Sequence, residues 1–240
     1  MKKLIALFIL TSICVSFSVL LIFYSENEKS VATSSAETEA YPVIIIDAGH
    51  GGFDGGACSA EGVPEKNINL QISLYLRDYL GFLGYKTIMT RETDTSLEDD
   101  GLNTIREKKH SDIMNRFKIL QNNENSVFIS IHQNHFSQEK YNGAQVFYSP
   151  QNEEESSVLA QHIQNSIVKN VQYDNDRCIK KCDSSVYLIY NAEKPAVLVE
   201  CGFLSNIKEA ENLQKEDYQK RIAFSIATGI NDYLKEDKNE

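Results

Sequence analysis

A chain of 240 residues has room for one α/β domain with a sizeable core. Its net charge of −10 argues against a nucleic-acid partner, because neutralising phosphates takes clustered Lys and Arg. Hydrophobic residues at 42% and charged residues at 24% are ordinary for a globular fold, and neither a P-loop nor a Gly-x-Ser-x-Gly elbow directs attention to nucleotide or serine-hydrolase chemistry.

Met1-Lys2-Lys3 is a positive stub (1–3) expected on the cytoplasmic side. The segment 4–23 is almost wholly apolar. Roughly 20 such residues can span a bilayer, whereas a signal-peptide core is usually about 7–15, so the segment reads as a signal-anchor or, alternatively, a cleaved signal peptide. Lysines before it and acids after it place the remainder outside the cytoplasm, membrane-anchored or secreted. Polar residues 24–40 read as a flexible linker, and 41–236 as the catalytic domain.

Val43 to Asp47 is a β-branched run, hence a buried strand. Ile68, Ile72, Leu76, Tyr79 and Leu83 recur at helical spacing until Gly84 stops them. Lys86 to Thr90 predicts a second strand, Arg91 to Gly101 a loop, and Thr104 to Gln121 a second helix leading into the strand that carries His132. Ala144 to Tyr148 is a further strand, followed by a helix with Leu159, Ile163 and Ile167 inward. Val186 to Tyr190 and Ala196 to Glu200 read as the last strands, and Ile222, Ile226 and Ile230 share one face of a closing helix. The alternation predicts a single α/β domain, a mostly parallel twisted sheet with helices on both faces.

Of five cysteines, Cys14 lies in the leader. Cys178 and Cys182 form one pair in a lysine-rich loop, too few for a structural zinc site; a local disulfide and free thiols both remain open. Cys58 and Cys201 are expected to be small buried residues.

Three runs end in chemistry-bearing side chains: Ile46-Asp47-Ala48-Gly49-His50-Gly51-Gly52, Ser130-Ile131-His132-Gln133-Asn134 and Val199-Glu200-Cys201-Gly202. Open α/β sheets bind ligands beyond the carboxyl ends of their strands. If these strands are parallel neighbours, His50, His132 and Glu200 converge on one rim. Catalytic zinc takes imidazole nitrogen or anionic oxygen at about 2 Å and keeps one position open. The third ligand is assigned to Glu65, just after Pro64, which marks the start of the first long helix.

Taken with Glu65-Lys66-Asn67 and the continuation Phe203-Leu204-Ser205-Asn206, these motifs stand in order and resemble those of the zinc-dependent N-acetylmuramoyl-L-alanine amidases (the Amidase_3 family) from about Val43 to Leu234. Within that family the bare catalytic domain behind a hydrophobic segment looks most like the spore-cortex amidases of the CwlD type. The resemblance implies a Zn2+ cofactor on His50, Glu65 and His132, with Glu200 as the catalytic acid–base. It implies peptidoglycan as substrate, cut between the muramic lactyl group and L-alanine as the first step toward muramic-δ-lactam. In a spore former the work would be done between the forespore membranes. A solvent-facing three-ligand site could also need an accessory protein to order it.

His135 replaces a small residue of the family pattern and reads as a loop bystander. His110 and His162 read as surface, and Arg116 as a structural ion-pair residue. The short segment after His132 leaves no room for an autoinhibitory helix. Two competitors are a zinc exopeptidase on wall peptides and an inactive peptidoglycan-binding protein. The first commonly uses a close His-x-x-Glu, and Gly51-Gly52-Phe53 contains no acid; retention of all four site residues argues against the second.

Overall fold

The computed structural model describes residues 41–236, so the predicted stub, hydrophobic segment and linker lie outside the described residues. Among the described residues no helix is long and apolar enough to cross a membrane. The elements are β1 (Val43–Ala48), α1 (Glu65–Phe82), β2 (Thr87–Met89), α2 (Ile105–Gln121), β3 (Ser126–Asn134), β4 (Gln145–Tyr148), α3 (Glu153–Asn170), β5 (Lys180–Lys181), α4 (Tyr187–Tyr190), β6 (Ala196–Phe203), α5 (Ile207–Leu213) and α6 (Glu216–Glu236).

The strands form one six-stranded sheet in the order β2-β1-β3-β6-β4-β5. Among the described strands of this sheet only the β4–β6 pairing is antiparallel. Alternate residues of each strand feed opposite faces. Ile44, Ile46, Ile129, Ile131, Val197 and Val199 pack under α1, α3 and α6 in the larger core. Ile45, Phe128 and Leu198 point the other way, against Leu120 of α2 and Ile189 of α4. This is why the central strands read as unbroken apolar runs rather than alternating ones. Pro64, extended at φ −75°, precedes Glu65 and starts α1 as expected. On the larger face α6 crosses α3 so closely that a Cβ at Gly229 would lie 2.6 Å from the Ile163 Cα.

Val186 to Tyr190 is not a strand. Asp183 closes a turn by accepting from the Ser185 N–H at 2.9 Å and, through its carbonyl, from the Val186 N–H at 3.2 Å. The chain then makes the single helical turn α4, burying Ile189 while Tyr187 stays 40% exposed. A five-residue apolar run has no periodicity to separate helix from strand, and the neighbour position beside β4 is already taken by β5. Cys58 is exposed, not buried, because its loop pairs with Pro64 and turns outward. Cys201 is buried as expected. Cys178 and Cys182 are free thiols: the first faces solvent, the second the core, where burial pushes its thiol up to about 12.

Candidate metal centre and active site

β1, β3 and β6 are parallel neighbours, with Ala48 level with Ile131 and His132 level with Glu200. The chain leaves β1 through Gly49, where a Cβ would run into the His132 ring, so only glycine lets the loop pass this close. His50 follows in the left-handed region at φ 62°. For a residue other than glycine that conformation costs about 1–3 kcal/mol and persists only when its surroundings enforce it.

Those surroundings are polar and buried. Asp47 accepts from Arg116 Nη1 at 2.6 Å, Ser130 Oγ at 2.6 Å and Thr90 Oγ1 at 2.8 Å. Burial opposes ionisation of Asp47, but Arg116 and Ser130 outweigh it and hold its carboxyl below the usual range. Arg116 also donates to the main-chain carbonyl of His50 at 2.7 Å and to Asp112 at 2.8 Å. The expected structural role of this helix arginine therefore extends to the backbone of a site residue.

The side chains predicted to ligate zinc are brought together. His50 Nε2 lies 3.2 Å from Glu65 Oε2, and His132 Nδ1 lies 2.9 Å from Glu65 Oε1. One ligand atom from each falls within 4.8 Å of the others. Burial works to lower the His50 pKa, yet the Asp54 and Glu65 carboxylates overcome it and push it up to about 9. Glu65 is 3% exposed; burial resists its charge, but the two imidazoles hold it well below the ordinary range. It also accepts from the main-chain N–H of Ala57 and of Gln133, each at 3.0 Å, and from Asn69 Nδ2 at 3.1 Å. A carboxylate so fixed has little orientational entropy left to lose on binding a cation.

Glu200 sits beside this cluster. Its residue is half-buried, but Oε2 is shut from solvent and has no hydrogen-bond partner among the described residues. Burial drives its pKa up to about 7, with the His132 charge opposing and Glu65 assisting. A buried carboxylate oxygen without a partner is costly unless something else binds there. A cavity of about 370 Å³ opens over the four residues, walled by Arg116 and Ile113 of α2 and by Tyr187 and Leu188 of α4. Two imidazoles and one carboxylate, with a second carboxylate free beside them, fit a catalytic zinc site.

Asp54, Lys109, Asn69, Gln133 and Arg91 support the cluster, and the sequence alone assigned none of them a role. Asp54 bonds His50 Nδ1 at 2.9 Å and is itself held by Lys109 at 2.9 Å. Asn69 lies one helical turn beyond Glu65, a spacing that could have signalled the contact. Its Oδ1 accepts from Gln133 Nε2 at 3.1 Å. Arg91, in the segment read as a loop, gave no signal. His135 is exposed and outside the metal-competent cluster, His110 is exposed, and His162 pairs with Glu236 at 2.7 Å.

The family model for N-acetylmuramoyl-L-alanine amidases matches residues 44–232. The germination-specific N-acetylmuramoyl-L-alanine amidase of Bacillus subtilis is 39% identical over 81% of this chain and 80% of that protein. The CwlD amidase of Clostridioides difficile, solved in complex with the GerS lipoprotein, superposes with a TM-score of 0.78 at 42% identity, covering 81% of this chain and 98% of that one. The catalytic domain of CwlV from Bacillus (Paenibacillus) polymyxa superposes at 0.67 with 32% identity over 81% and 98% of the two chains. Sequence, fold and the placement of the imidazoles and carboxylates agree: the chain belongs to the N-acetylmuramoyl-L-alanine amidase family.

Proposed function

We propose that this protein hydrolyses the amide between the lactyl group of N-acetylmuramic acid and L-alanine in peptidoglycan, with His50, Glu65 and His132 holding zinc and Glu200 handling the proton. The observation that carries the reading is the convergence of three ligand atoms within 4.8 Å beside a sealed, unpartnered carboxylate oxygen. Zinc at these residues would supply a Lewis acid for the amide carbonyl and ease deprotonation of water near neutral pH.

Glu200 takes the proton of the attacking water and passes it to the departing alanine nitrogen, so its carboxyl must be ionised first and protonated afterwards. Burial has already moved it toward neutrality, where both transfers have a driving force. Tyr187 and Leu188 wall the cavity over these residues on one side.

The similarity to a germination-specific amidase and to CwlD supports a role in spore cortex, with cleavage as the step that exposes the muramic lactyl group for δ-lactam formation. Because that CwlD was solved with a lipoprotein, an accessory lipoprotein partner is part of the proposal. The apolar segment 4–23 would keep the domain at the outer face of a membrane, between the forespore membranes in a spore former.

Digesting purified peptidoglycan with the zinc-loaded protein and separating the products tests the chemistry. Free stem peptide with uncut glycan is expected; intact muropeptides from every wall preparation would end the proposal. Spores lacking the protein should contain no muramic-δ-lactam, and normal lactam content would remove the cortex assignment.

A further inference from the structure

Arg91 is 4% exposed, and its four hydrogen bonds among the described residues all end on main-chain carbonyls. Nε donates to Ala48 at 2.8 Å and Nη1 to Thr93 at 3.0 Å. Nη2 donates twice, to Gly49 at 3.0 Å and to Lys66 at 2.8 Å. Gly49 directly precedes His50, and Lys66 directly follows Glu65. One guanidinium nitrogen thus ties the carbonyl of the residue before one candidate ligand to the carbonyl of the residue after another. Asn69 Nδ2 reaches the same Gly49 carbonyl at 3.1 Å, so that oxygen is held from two sides. The loop is also held at the next carbonyl along, where Arg116 grips His50.

We infer that Arg91 is a positioning residue of the metal centre, setting the spacing between His50 and Glu65 by cross-linking the main chain beside each of them before any ion arrives. The inference rests on the zinc site proposed above. A buried arginine ordinarily takes a carboxylate partner. Here carbonyl dipoles alone receive the fork, a geometry suited to fixing main chain rather than to neutralising charge. Lysine at this position offers one nitrogen and loses the separate Nε and Nη1 bonds to Ala48 and Thr93 that hold the fork in place. The left-handed His50 conformation gives the device its purpose, since a strained ligand loop drifts unless it is held.

The full-length protein in detergent, as wild type and as Arg91→Lys, Arg91→Gln and Arg77→Lys, is titrated with zinc against a chromophoric chelator and, separately, with cobalt(II) while its visible bands are recorded. Arg91→Lys should raise the zinc Kd about 10–100-fold, the range for supporting residues of metal sites, and should shift the cobalt spectrum. Arg77→Lys, on the surface beside Asp78 and Glu92, should do neither. One equivalent of zinc on the wild type, with an unchanged Kd and cobalt spectrum in Arg91→Lys, would overturn this inference alone. No zinc on the wild type would sink the metal centre and this inference together. If neither Arg91 variant folds, nitrogen NMR of the Arg91 guanidinium in the wild type decides. Distinct, slowly exchanging Nη signals before zinc is added are expected, and averaged signals that separate only with zinc would refute a preformed cross-link.

Discussion

Glu200 and His132 are register partners across β6 and β3, so a carboxylate with one oxygen unpartnered among the described residues and a candidate metal ligand leave the sheet at the same level. Parallel strands bring residues of equal height to within one strand spacing, about 4.8 Å. The acid–base group and the metal-competent cluster are therefore placed relative to each other by the pairing of two central strands.

Replacing that carboxylate by its neutral isostere separates chemistry from metal binding. Glu200→Gln should retain zinc stoichiometry while kcat falls about 10²–10⁴-fold, the usual worth of a general acid–base. In the wild type, activity should rise with pH as Glu200 ionises. A cation on the neighbouring ligands favours the carboxylate, so the acid limb of kcat/KM should lie below about 7. Persistence of that limb in the variant would assign it to another group.

Asp54 fixes one nitrogen of His50 and leaves the other facing Glu65. Asp54→Asn keeps the shape but removes the charge that orients and polarises the ring. Zinc affinity by chelator competition should weaken about 10–100-fold with little change in melting temperature. Unchanged affinity would show that the Lys109 and Gly56 contacts of Asp54 matter more than its bond to the imidazole.

The Asp47–Arg116 pair makes a prediction about acid stability. Asp47 has a lower pKa folded than unfolded, so its contribution is complete above the unfolded value of about 4. That contribution is lost as pH falls through the folded value. Melting temperature should drop steeply below pH 4. Asp47→Asn should lower it already at neutral pH, since breaking a buried pair costs about 3–5 kcal/mol, and should flatten the acid slope. A variant with the wild-type acid profile would place the titration elsewhere.

The strands and long helices were legible because burial on two faces writes continuous apolar runs, and burial on one face writes a helical period. Val43 to Asp47, the helix through Ile68 and Leu76, and the closing helix through Ile226 are examples. Val186 to Tyr190 was not legible, since so short a run carries no period and its conformation depends on the Asp183 turn and the occupied place beside β4.

His50, His132 and Glu200 could be named from the chain alone because each sits at or just past the end of such a run, where a charge has no structural excuse. Only the folded molecule shows that their strands are adjacent, that Glu65 bonds both imidazoles, and that Arg91 and Arg116 hold the loop carrying His50. Strand order and hydrogen bonds between residues tens of positions apart arise from three-dimensional packing. Local residue patterns record which side chains avoid water, not which distant backbone carbonyl a guanidinium will find.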